Sequence, residues 1–129
     1  MLLLRSDKMI KDVEGRIEIF RDIIKLAEKR RKLVESNREY TKENDTLKNY
    51  VDNLSFEDVK VLQTVMYLGR DREYDENLSS SEIYKEVRKS FDMQGWDSKE
   101  IEAHQMTGKV PLDQYLNSGL EILEINWEK

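Results

Sequence analysis

The chain has 129 residues, with 22 Lys+Arg against 27 Asp+Glu, 38% charged residues, one proline and no cysteine. One domain spanning residues 1–129 with a single core is expected at this length, and the missing cysteines exclude a disulfide framework, a thiolate zinc site and a cysteine nucleophile. The opening MLLLRSDK turns charged after three leucines, far short of a signal peptide or a membrane span, so a cytoplasmic protein with no membrane attachment is expected.

Ile10, Val13, Ile17, Phe20, Ile24, Ala27, Arg31 and Val34 alternate spacings of three and four, which predicts a long amphipathic helix over about residues 7–37. Ile19, Ile23, Leu26 and Leu33 widen the stripe beyond a two-column seam, as in a helix that touches more than one neighbour. In a parallel zipper Arg16 would meet Arg21 of the partner while Arg30 met Glu35, a mixed pattern that specifies no such pairing. Ile10, Val13, Ile17, Phe20 and Ile24 therefore form either a seam within one bundle or part of a homodimer interface.

EKRRK at 28–32 is the sole basic run, and it reads first as a solvated helix face and second as a patch for nucleic acid or an acidic partner. Residues 1–54 hold 13 Lys+Arg against 11 Asp+Glu, whereas residues 55–129 hold 9 against 16. Phosphate contacts need cations, so this balance argues against nucleic acid as a partner.

The polar stretch SNREYTKENDT bends or breaks the helix, and Leu47, Val51 and Leu54 resume helical spacing. A helical part is then expected over about 54–127. Ser55 with Asp58 has the form of a capping box, opening a helix whose apolar face is Phe56, Val59, Leu62, Val65 and Met66 and whose end is expected at Gly69. Ser79 with Glu82 opens the next, carrying Ile83, Tyr84, Val87 and Phe91 toward Gly95, and Asp97 with Glu100 repeats the signal for a short helix to about Met106. Gly108 and Pro111 break that helix, and Leu112 to Trp127 fits a last amphipathic one. No stretch alternates as a strand does, so the fold class is all-α: a compact helical bundle.

Candidate chemistry is thin. His104 is the one histidine, no serine has a nucleophile context, and no glycine-rich loop exists to cradle phosphates. Glu100 and His104 share a helix face and form at most half of a metal site; the simpler reading is a surface pair, with no metal or cofactor. In MYLGRDREYDE, Gly69 reads as a C-cap at positive φ, with Arg70 bonding helix-end carbonyls or a carboxylate on a neighbouring helix. Asp71 and Tyr74 complete the junction, which is structural in the first reading and a recognition surface in the second. The carboxylates behind it lack the order of an EF-hand loop.

Leu68, Gly69 and Arg70, followed by Gly108, Pro111, Tyr115, Leu116, Gly119 and Leu120, resemble an uncharacterised bacterial family of short helical proteins of unknown function. Its members carry a WLGRGD-like junction and end in a glycine-proline loop and a DYLEEGL-like helix. Asp71 stands where that pattern has glycine, and the proline is displaced by one position. The resemblance covers residues 54–123, implies a compact helical domain of bacterial or phage origin, and carries no activity.

Two functions follow. The first is a non-enzymatic interaction protein, an adaptor, regulator or inhibitor with a protein partner. The second is a helical domain that binds a small ligand or metal through Arg70, Tyr74, Glu100 and His104.

Overall fold

The computed structural model describes residues 10–128, which form seven helices and no strand. In chain order they are α1 (Lys11–Glu14), α2 (Ile17–Glu35), α3 (Thr41–Asp52), α4 (Phe56–Asp71), α5 (Ser80–Gln94), α6 (Lys99–Thr107) and α7 (Leu112–Ile122). The bundle is all-α, as the spacing predicts.

The expected long first helix is interrupted at Gly15 and Arg16, and its residues before Ile10 lie outside the described part. Glycine is a poor helix former, and the carbonyl of Asp12 accepts a bond from the Arg16 guanidinium at 2.8 Å. The same guanidinium bridges to Asp58 at the start of α4, 2.7 Å away. The polar stretch after Val34 does break the helix, with Asn37 at a φ of 55°.

α4 is the central helix. Val59, Leu62, Val65 and Met66 are fully buried, and so are Val61 and Thr64 on its other flank. A helix covered on nearly every side belongs at the middle of a bundle. It packs most extensively against α7, and also against α5 and α6, while α2 lies across α7 and α3. Ile10, Val13, Phe20 and Ile24 are buried by these neighbours, and Ile17 is half-buried. Four of the five seam residues are thus covered by the chain's own helices.

Gly69 is not a C-cap. It lies inside α4, buried, where a Cβ would come within 1.9 Å of the Tyr115 carbonyl oxygen and 2.4 Å of the Gly119 nitrogen. A Cβ on Gly119 would in turn come within 2.2 Å of the Val65 carbonyl oxygen. The backbones of α4 and α7 touch at these two glycines. The helix runs on to Asp71 and is capped by Arg72 at φ 52°, whose N–H bonds the Leu68 carbonyl. A left-handed residue with a side chain costs about 1–2 kcal/mol, whereas a side chain between two touching backbones has nowhere to go unless the helices separate.

Both capping boxes at Ser55–Asp58 and Ser79–Glu82 are formed, and α5 ends at Gly95, φ 91°. The α6 cap is displaced by one residue: Ser98, not Asp97, accepts from the N–H of Ile101. Glu102 turns inward, where it accepts from the backbone of Asp97 at 2.8 Å and from the buried amide of Gln63. α7 stops at Ile122, short of Trp127, which hydrogen-bonds back to Asn117.

Candidate functional site

The basic run loses most of its standing as a binding patch. Arg30 is 2% exposed, and its guanidinium donates to the carbonyls of Thr107 and Lys109 and to the Asn44 side chain at 2.9 Å. Burial pushes its pKa down. Arg31 pairs with the buried Asp113 carboxylate at 3.0 Å and with Glu35, and the Asp113 bond raises its pKa. Two of the four cations therefore hold the glycine-proline loop and the start of α7 against α2. Lys29 and Lys32 stay exposed, and Lys32 faces Glu28.

Arg70 binds neither helix-end carbonyls nor a carboxylate of a neighbouring helix. Its guanidinium bonds the adjacent Asp71 at 2.9 Å and stacks over the Tyr67 ring at 4.7 Å from the centroid, on the outer surface of α4. Asp71 raises the pKa of Arg70, and burial raises that of Tyr67. The interhelical tie comes from Arg72 instead, whose guanidinium donates to Ser118 on α7.

Tyr67 and Asp71 also line a groove of about 420 Å³ between the end of α4, the 72–79 connection and α5. Its apolar surfaces come from Leu68, Tyr74, Leu78, Ile83, Val87 and Phe91, and Asp71, Glu73, Asp75 and Glu86 rim it. A second hollow of about 280 Å³ shares Tyr74, Leu78 and Ile83 with the first and extends toward Ile122, bringing in Glu76 and Glu124. A shallower depression continues past Glu86 and Ser90 to Met93, which is 77% exposed. The three form one trough along α5.

α5 is held from its other side. Arg88 bonds Glu57 at 2.9 Å and Asp92 at 3.0 Å and lies 3.8 Å from Asp12, while the Tyr84 hydroxyl reaches Asp12 at 3.2 Å. The Arg88 bond holds Glu57 below the usual carboxylate range; at Asp92, burial acts upward and is outweighed by bonds from Trp96 and Arg88. Tyr67, Phe91 and Trp96 form an aromatic row, with ring centroids 5.5 and 5.8 Å apart, that joins α5 to α4. Only Ser81, Ile83 and Tyr84 of this helix's 15 residues are buried.

The four residues of the small-ligand reading do not line one cavity. Tyr74 lines the trough, Arg70 stands at its edge through Tyr67 and Asp71, and Glu100 and His104 are exposed on α6. Among the described residues no group of three or more His, Asp or Glu side chains is placed to hold a metal ion. No helix among them is long and apolar enough to cross a membrane. The trough itself escaped the sequence reading, although Ile83, Val87 and Phe91 were legible as an apolar face. What covers such a face is decided by the neighbouring elements, and here they bury Ile83 and leave Val87 and Phe91 partly open. No protein-family model, curated protein or solved structure matches the chain.

Proposed function

We propose that this chain is a non-enzymatic interaction protein of the cytoplasm, an adaptor, regulator or inhibitor, that holds another protein in the trough along α5. The observation that carries this reading is a groove whose apolar walls, Tyr74, Leu78, Val87 and Phe91, stay partly exposed and are edged by carboxylates, with the exposed Met93 beyond its far end. Open apolar grooves with polar rims are characteristic of sites where proteins meet. Kinship with the bacterial family of the LGR junction belongs to the same proposal. It is supported by the roles of Gly69 and Gly119, since residues that let two backbones touch are fixed by a fold rather than by an activity.

A photo-crosslinking amino acid at Ser90, in the trough, tests the reading against the same group at the exposed Asn49 of α3. One protein crosslinked from native lysate at Ser90 and not at Asn49 is the expected result. Equal labelling from both positions would refute it.

A further inference from the structure

Resting on that reading, we infer that the occupant of the trough is a basic amphipathic helix of a partner protein, and that Arg70 takes the place of one of its cations in the free protein. Shape comes first. Ile83 at the buried floor, half-buried Val87 and exposed Ser90 line the trough at spacings of four and three, with the exposed Met93 a further turn on, so one side of α5 borders the trough along its length. At 1.5 Å per residue this face runs for about 15 Å, or about three turns of an opposing helix. Ridges at these spacings are the surface against which another helix packs.

Charge then selects the helix. No lysine or arginine lines either the main groove or the hollow beside Ile122, and Lys89 enters only at the shallow far end. Carboxylates edge the trough along its length: Asp71, Glu73, Asp75 and Glu86 in the groove, Glu76 and Glu124 beyond it. Such a rim repels anionic lipid and nucleic-acid phosphates and attracts lysine and arginine flanking an apolar stripe.

Arg70 displays the recognition in miniature. Its guanidinium lies on the face of Tyr67 and bonds the Asp71 carboxylate, and both of these residues line the groove. An aromatic face beside a carboxylate is what an arginine from a partner would seek. Arg70 holds that position while remaining exposed, so an incoming cation can displace it at small cost.

The test is fluorescence anisotropy with a labelled leucine-lysine peptide of about 14 residues, its leucines spaced to form one helix face, beside matched leucine-glutamate and leucine-serine peptides. The leucine-lysine peptide should bind best, and Arg70→Ala should tighten it by about threefold, the scale of an exposed ion pair. Asp75→Lys with Glu86→Lys should weaken it by about tenfold. Glu18→Lys with Asp45→Lys, the same change in net charge on exposed residues of α2 and α3, should change it by less than about twofold. Equal loss in both double variants, or no gain from Arg70→Ala, would overturn the inference, as would no binding of any peptide. If the glutamate or serine peptide binds as well as the lysine peptide and loses affinity on Val87→Asp, the cationic occupant is refuted while the interaction site stands. If trough binding is absent and Ser90 also fails to crosslink selectively, both fall.

Discussion

A hydrogen atom is all that Gly69 can place against α7. Changing it to Ala would set a methyl carbon 1.9 Å from the Tyr115 carbonyl oxygen, a backbone atom that cannot rotate aside. The helices must separate, and Gly69→Ala should destabilise the fold by about 3 kcal/mol or more in urea unfolding. Arg70→Ala, one residue on, should stay within about 0.5 kcal/mol, because its partners are an exposed neighbour and a ring face. A small effect at Gly69 would show that the two backbones do not touch. The sequence places Gly69 correctly at the end of an apolar run and still misleads, since a C-cap is a local pattern and a backbone crossing depends on a distant helix. Tyr50 carries a pH signature. Its phenol donates to Asp22 at 2.8 Å, and burial, then the Asp22 carboxylate, push its pKa up to about 12. Folding therefore favours the protonated phenol: the stabilisation is complete below the unfolded value of about 10 and is lost as pH rises through about 12. Between about pH 9 and about pH 12 the wild type should lose stability more steeply than Tyr50→Phe. Parallel curves would contradict the assignment.

Between elements, the arginine pair of α2 is a polar tie with several acceptors at once. Arg30 reaches the carbonyls of Thr107 and Lys109, and Arg31 reaches Asp113, so the loop before α7 is clamped at both ends. Arg30→Ala should cost about 3 kcal/mol in chemical denaturation, since it strips donors from carbonyls that water reaches poorly and leaves a cavity. Arg30→Lys should recover only part of this, lacking the fork that serves two acceptors at once. Lys29→Ala should change little, and a loss equal to that of Arg30→Ala would refute the clamp. The run EKRRK was legible as charge, not as clamp. Arg31 within the three-four row was the one hint that arginine sits on a covered face here. Helix starts were easier to read. Ser55–Asp58 and Ser79–Glu82 close within four residues and so show in the sequence, whereas the α6 start was misread by one position because Glu102 serves the buried Gln63.

Over the whole molecule, the first apolar stripe is spent inside the chain. Ile24 is 3% exposed, and Ile24→Ala should lower stability by about 3 kcal/mol. The gap in melting temperature between variant and wild type should stay constant over about a hundredfold range of protein concentration. A gap that changed with dilution would return Ile24 to an intersubunit surface. The helix class was legible because the three-four spacing recurs from end to end; the order of packing was not, because periodicity names a covered face without naming its cover. α7 is what covers most. It lies against both α4 and α2, and the ties from Arg30 and Arg31 to its approach and first turn span 77 to 82 residues of chain. During synthesis, α4 is complete long before its chief neighbour exists. At about 5–20 residues per second, the apolar flank of α4 waits about 3–10 s for residues 112–122, long enough for a chaperone, or another nascent copy, to find it first.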